Sequence, residues 1–242
     1  MSQFSLEVSN DALPVGPLHN EVRREIASEQ TVGRRGFLRG GAIAAGSVAL
    51  ATCLSDEAQA APAGPRQQMA LLRRHENDHV AFLEGALNAI SMKRPRPTFQ
   101  NLQQPNLNSF LTTALALENT GVGAYLGAAP AIFDPMILAQ AGSIALIEAR
   151  HAGFLNGFRS RPMTQNLFDQ ELSFERAFTI NEVVMAAGPF IASLNDPGNN
   201  FPLTFSNTRS AGNDVAILNF ALALEYLEQE FYDINVPLFY GV

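Results

Sequence analysis

A repeated pairing of glutamate and histidine constrains this chain more than any other feature. The segment "RHENDHVAFL" begins at Arg74, and the segment "LIEARHAGFL" begins at Leu146. Both contain Glu-x-x-His-x-x-Phe-Leu, and both lie on apolar seams with helical spacing. Residues three apart on a helix are roughly 60° apart around its axis, so a Glu and a His with this spacing can reach one point beside the helix. The repeat therefore predicts two helices that each present a pair of metal ligands.

Two further helices are predicted by a second internal repeat. The segment "ALALENTGVGAY" begins at Ala114 and "ALALEYLEQEFY" begins at Ala221, and each places a Glu on an apolar seam. Prolines and polar loops separate the helical segments, and no segment reads convincingly as a strand. We predict an all-α four-helix bundle in which a long connection, residues 160–212, joins helices 3 and 4 and contains one short helix that starts at a capping box, Thr179 to Glu182. The predicted long helices span residues 67–91, 109–126, 136–158 and 213–233.

Four carboxylates on the inner seams of one bundle require compensating charge. Moving a charged carboxylate out of water costs several kcal/mol even after relaxation, and neighbouring carboxylates repel each other. Two divalent cations offset four negative charges, and carboxylate oxygens with imidazole nitrogens suit iron or manganese. Bridging carboxylates hold two such ions about 3.5–4 Å apart. The predicted metal ligands are Glu76, His79, Glu118, Glu148, His151 and Glu225.

Alternatives remain open for part of this ligand set. Glu118 and Glu225 could be polar seam residues that pair across helices. Glu76 and His79 could face solvent, because polar and charged residues surround them in the sequence. His75 is expected to be a solvated neighbour.

The candidate catalytic residues are Glu228, Tyr125 and Tyr232. Glu228 follows Glu225 by three positions and is either a further carboxylate of the site, acting as a ligand or proton shuttle, or an exposed helix charge. Each tyrosine lies seven residues after a predicted ligand, where it could hydrogen-bond a ligand carboxylate or serve as a core aromatic. Two helix-interior glycines, Gly121 and Gly123, could leave room for dioxygen or peroxide, but we favour close helix packing.

The first 60 residues predict an export signal. Paired arginines within "TVGRRGFLRG" precede the apolar segment "GAIAAGSVALATCL", which is shorter than a membrane-spanning helix requires. "AQA", residues 58–60, offers a signal-peptidase site, and the pattern resembles a twin-arginine signal. We predict cleavage after Ala60, with a retained membrane anchor or a lipid attached at Cys53 as alternatives. The predicted domains are thus a leader, residues 1–60, and a bundle, residues 61–242.

Charge and cysteine content limit the partners. The formal net charge is -7, which argues against a nucleic-acid partner. Cys53 is the only cysteine, so cleavage would leave neither disulfides nor thiolate metal ligands. The expected location is periplasmic or extracellular, and the export partner is the twin-arginine machinery. The sequence leaves a homo-oligomer open.

The segments "ALENTGVGAYLGAAP", "IEARHAGFL" and "NFALALEYLEQEFY" resemble those of bacterial ferritin-like proteins, which include desiccation-associated proteins with twin-arginine signals. The resemblance spans about residues 71–232. It implies metal ligands at the six positions given above. In the usual order a Glu helix comes first and a Glu-x-x-His helix last, so this chain resembles a circular permutation of the family's bundle.

Taken with this resemblance, the residues indicate an exported protein with two divalent metal ions, iron or alternatively manganese. Dioxygen or peroxide would be the reactant, in an oxidative, peroxide-handling or iron-handling role during stress. The alternative is a non-catalytic stress-associated protein in which metal staples the bundle or the site is vestigial.

Overall fold

Four long helices and one short helix form the part of the chain that the computed structural model describes, residues 64–196 and 205–242. The predicted all-α class is confirmed. The short helix begins at the predicted capping box, in which Thr179 and Glu182 bond each other's backbone N–H groups. The helices are α1 (Pro65–Ala89), α2 (Leu107–Ala128), α3 (Pro135–Phe158), α4 (Ile180–Ala187) and α5 (Ala211–Tyr240).

The long helices pack as two antiparallel pairs. Helix α1 packs on α5: Arg66 at the start of α1 donates to the Gly241 carbonyl, and the backbone N–H of Arg94 beyond its end donates to Asn219 near the start of α5. Helix α2 packs on α3, and Arg159 at the end of α3 donates to the Thr112 hydroxyl near the start of α2. The first and last helices therefore form one pair, and the two helices between them form the other.

Side-chain caps fix where these helices begin. Asn106 accepts from the Ser109 N–H at the start of α2, Asp134 accepts from Met136 in α3, and Ser210 caps α5. Each cap satisfies a backbone N–H that has no partner within its helix. Helix α2 consequently begins at Leu107, two residues before the predicted start.

Two features differ from the sequence-based expectation. A small antiparallel sheet pairs β1 (Thr98–Phe99) with β2 (Ile191–Ser193), although no strand was predicted. Helix α5 continues to Tyr240 through Pro237, seven residues past its predicted end. Packing explains the extension, because Val236 is fully buried in the core and Phe239 stacks on Phe110.

Two apolar clusters fill the bundle, one towards each end. The first includes Leu72 and Leu155, and the second includes Val80 and Ile144. The two Glu-x-x-His motifs lie between these residues, one between Leu72 and Val80 on α1 and the other between Ile144 and Leu155 on α3. The polar residues are therefore enclosed between two hydrophobic layers at mid-bundle.

The predicted export signal and the domain boundary at residue 60 lie outside the described residues and stay predictions. Within the described residues, no helix has the length and apolar character needed to cross a membrane.

Candidate metal centre

Six predicted ligands converge in two overlapping groups at mid-bundle. We call one the His79 group (Glu76, His79, Glu148 and Glu225) and the other the His151 group (Glu76, Glu118, Glu148 and His151). Within each group, one ligand atom per residue lies within 4.8 Å of the others. All six side chains are buried, so the solvent-facing alternative for Glu76 and His79 is wrong. Glu118 and Glu225 do pair across helices, as their alternative supposed, while each also belongs to one of the two groups.

Each histidine turns its Nδ1 atom towards several carboxylates. His79 Nδ1 lies 3.1 Å from Glu148 Oε1 and 3.2 Å from Glu225 Oε2. His151 Nδ1 lies 3.0 Å from Glu76 Oε1 and 3.1 Å from Glu118 Oε2. A single ring nitrogen therefore faces more oxygen atoms than one N–H group can bond.

Glu76 and Glu148 belong to both groups, and each comes from a different helix pair. Glu148 Oε2 is buried and has neither a hydrogen bond nor an ion pair among the residues that the structure describes. An unpaired buried carboxylate oxygen is costly, whereas a cation is a natural partner for it. The oxygen and imidazole donors of these groups thus fit a metal ion.

Two tyrosines hydrogen-bond the two carboxylates that are not shared between the groups. The Tyr125 hydroxyl donates to Glu225 Oε1 at 2.5 Å, and the Tyr232 hydroxyl donates to Glu118 Oε1. Both bonds cross from one helix pair to the other, because Tyr125 and Glu118 share α2 whereas Tyr232 and Glu225 share α5. The tyrosines fix the orientation of the carboxylates while leaving each a second oxygen near a histidine.

Glu228 is a fifth buried glutamate beside these groups. Its side chain is 3% exposed, so the exposed-charge alternative is wrong. Burial, followed by repulsion from Glu148 and Glu118, raises the pKa of Glu228 well above its usual range. It lies outside both four-residue groups.

The pKa shifts at the site reflect a buried cluster in which the carboxylates outnumber the histidines that could balance their charge. Burial and the neighbouring carboxylates, Glu76 first, raise the pKa of Glu148 well above its usual range. Burial opposes charge on His79, but Glu225 and the other carboxylates outweigh burial and raise the pKa of His79. Burial also opposes charge on Glu76, yet its contacts with the two histidines lower the pKa of Glu76 to about 2. Bound protons therefore balance part of the charge when no cation does so.

His75 was expected to be solvated, but it contacts the site. Its Nδ1 atom lies 2.9 Å from Nε2 of His151, and the two rings are stacked with centroids 5.2 Å apart. Burial, then the neighbouring His151, lowers the pKa of His75 to about 4, so its ring is neutral at pH 7. One signal in the sequence could have indicated this contact, because His75 directly precedes Glu76, whereas Ile147 holds the equivalent position in the repeat.

The two glycines of α2 accommodate neighbouring atoms. A Cβ atom at Gly121 would lie 2.9 Å from Glu148 Oε2, so this glycine makes room for a carboxylate. A Cβ atom at Gly123 would lie 2.4 Å from the ring of Phe178, whose backbone N–H donates to the Gly123 carbonyl. Close packing, rather than a space for dioxygen, accounts for both positions.

Comparison with known proteins gives one match. A family model described as a ferritin-like domain matches residues 37–160, just over half of the chain. The match includes both Glu-x-x-His motifs and Glu118, and it ends before α5, which carries Glu225 and Glu228. No curated protein and no solved structure matches the chain. With the helical bundle and its buried Glu/His cluster, this match shows that the chain belongs to the ferritin-like domain family.

Proposed function

We propose that this chain is an exported oxidative protein with two metal ions held by the His79 and His151 groups. The observation that supports this most strongly is that Glu76 and Glu148 belong to both groups. A carboxylate has two oxygens and can bridge two cations, so shared glutamates favour two neighbouring ions over one. The four glutamates of the two groups carry four negative charges, which two divalent cations balance.

Iron is the proposed metal, with manganese as the alternative. The ligand atoms are carboxylate oxygens and imidazole nitrogens, with no thiolate among them, and these donors suit both metals. A bound pair of such ions supplies Lewis acidity and electrons for reaction with dioxygen or peroxide.

The side chains around the groups have separate roles in this proposal. Glu118 and Glu225 each serve one ion and are oriented by Tyr232 and Tyr125. Glu228 exchanges a proton with the reactant, because burial and the neighbouring carboxylates raise its pKa and favour the protonated carboxyl group. The apolar layers on either side exclude bulk water.

Export through the twin-arginine machinery is part of the proposal and is supported only by the sequence. The arginine pair and the Ala58–Ala60 segment lie outside the described residues. The twin-arginine route carries folded proteins, so the metal site could be filled before transport to the periplasm or beyond. Amino-terminal sequencing of protein recovered after export tests cleavage after Ala60 against a lipid at Cys53.

The proposed activity is tested by metal content and turnover on the exported protein. After anaerobic loading with ferrous iron, we expect two irons per chain and consumption of dioxygen or peroxide. Glu148→Ala should lose binding of both ions, because Glu148 serves both groups, while Ser143→Ala on the exposed side of α3 should behave as wild type. Fewer than one metal per chain in the wild-type protein would contradict the proposal.

A non-catalytic role is the second candidate, and one observation favours it. The two groups together draw ligands from all four long helices, so bound ions would staple the bundle. Protein that holds two irons but consumes neither ferrous iron, dioxygen nor peroxide would establish this structural role in stress or desiccation and exclude the oxidative one.

A further inference from the structure

The two halves of the site have different surroundings outside the predicted ligands. On one side, His151 has a ring neighbour, because its Nε2 atom lies 2.9 Å from Nδ1 of His75. On the other side, His79 makes its hydrogen bonds and ion pairs with carboxylates through Nδ1. The repeat makes Ile147 the counterpart of His75, and isoleucine offers no hydrogen-bonding atom on its side chain. The pseudo-symmetry of the ligands is therefore broken by their neighbours.

The direction of this bond follows from the ligand geometry. His151 points Nδ1 at Glu76 and Glu118, so Nδ1 is the atom that a metal ion in this group would meet. An imidazole that binds metal through Nδ1 carries its proton on Nε2, and this N–H then donates outward. The lone pair on His75 Nδ1 accepts it, which places the remaining proton of His75 on its own Nε2.

We propose that His75 is a positioning residue that fixes the tautomer and ring orientation of His151 and so makes the His151 group bind its metal ion more tightly than the His79 group. This inference rests on the two-ion site proposed above. The bond restricts rotation of the His151 ring. Outer partners of metal-binding histidines change metal affinity by about 10- to 100-fold.

The consequence is ordered loading of the site. The first ion enters the His151 group, and the second enters the His79 group, which lacks the oriented imidazole. Since Glu76 and Glu148 serve both groups, the first ion also orients the shared carboxylates for the second.

Cobalt(II) is the probe for this proposal, because its visible spectrum reports ligand geometry. Anaerobic titration of the metal-free full-length mature protein should show two steps of unequal affinity. His75→Phe keeps an aromatic ring but removes the acceptor, and it should weaken the tighter step about 10- to 100-fold while leaving the other step unchanged. His75→Asn places an amide oxygen near the position of Nδ1 and should restore most of the loss.

Two controls separate positioning from general damage to the fold. Ile147→Phe enlarges the repeat-equivalent position on α3 and should leave both steps unchanged. In the zinc-loaded protein, the Nε2–H resonance of His151 should be protected from exchange in the wild type and His75→Asn, and lost in His75→Phe. Two equal steps in the wild type, or equal weakening of both steps by His75→Phe, would overturn the inference but leave the two-ion site intact. Failure of the wild type to bind cobalt would overturn both.

Discussion

At the scale of single residues, the hydroxyl groups of two tyrosines bond carboxylates of different groups, Tyr125 in the His79 group and Tyr232 in the His151 group. We expect Tyr125→Phe to weaken binding at the His79 group and Tyr232→Phe to weaken binding at the His151 group, each by about 10- to 100-fold. Each change leaves a buried carboxylate oxygen without its donor, and the metal-free protein should lose about 1–3 kcal/mol of unfolding free energy. Cobalt titration and urea unfolding measure the two effects.

Tyr240 provides the matched control for these variants. Its hydroxyl is buried and has no hydrogen-bond partner among the described residues. Removing an unpaired hydroxyl leaves no other polar group without a partner. Tyr240→Phe should therefore leave metal affinity unchanged and leave stability unchanged or slightly higher. An equal loss in all three variants would show that the losses do not come from the hydrogen bonds to Glu225 and Glu118.

Gly121 lies so close to Glu148 that adding a side chain would disturb the site. In Gly121→Ala, the added Cβ would lie 2.9 Å from Glu148 Oε2 and displace this shared carboxylate. We expect both cobalt-binding steps to weaken together by at least about 10-fold, in contrast to the single step affected at His75. Gly142→Ala on α3, where a Cβ meets nothing within 4 Å, should bind normally and gain roughly 0.5–1 kcal/mol of stability.

The convergence of the Glu-x-x-His residues could be predicted from the sequence, because the repeat identifies them. Two Glu-x-x-His motifs on apolar seams already place four side chains on facing helices. The contact between His75 and His151 was not predictable in the same way, because it depends on the rotation of α1 against α3. The crossing of the Tyr125 and Tyr232 bonds between helix pairs likewise follows from packing and not from spacing along one helix.

At the scale of elements, a buried aspartate joins the start of α5 to the turn before α3. Both carboxylate oxygens of Asp214 accept backbone N–H groups, from Phe133 at 2.7 Å and from Asp134 at 2.9 Å. Asp214→Ala should therefore cost about 1–3 kcal/mol in urea unfolding of the metal-free protein.

A partly exposed aspartate on the same helix is the control for this prediction. Asp233 forms an ion pair with Arg73 at 2.6 Å, and both side chains are more than a third exposed to solvent. Solvent screens such pairs, so Asp233→Ala should cost less than about 1 kcal/mol. Equal losses for both variants would contradict the importance assigned to Asp214.

The four long helices could be predicted from apolar spacing, and their ends lie within two residues of the predicted ones except at the end of α5. Helix α5 passes through Pro237 because burial of Val236 and the aromatic contacts of Phe239 outweigh the missing backbone hydrogen bond. The strands β1 and β2 contain two and three residues, too few to show an alternating pattern, and their pairing joins connections that are distant in sequence.

At the scale of the whole molecule, the charge balance of the core predicts proton release when metal binds. Burial and the surrounding carboxylates raise the pKa of Glu148 well above its usual range, which favours its protonated form in the metal-free protein. Burial opposes protonation of His151, but Glu118 and Glu76 outweigh it and raise the pKa of His151. A metal ion must displace these protons, so its affinity should increase as pH rises from about 6 to about 8.

Metal addition in weakly buffered solution measures this release directly with a pH indicator. We expect at least about one proton per ion, because each group contains a histidine whose pKa is raised. The titration should be repeated with His79→Ala, which removes one of the displaced protons. Metal binding without acidification would show that the free site already holds its ligands deprotonated.

The arrangement of the helix pairs gives the ions a mechanical consequence. His79 and Glu225 stand 146 positions apart in the chain, yet both belong to one group. Ions bound there would act as reversible cross-links between the first and last long helices, in a chain whose single cysteine cannot form an internal disulfide. Peeling α5 away from α1 would then require breaking coordinate bonds, so the outermost helices of the sequence would open no more readily than the inner ones.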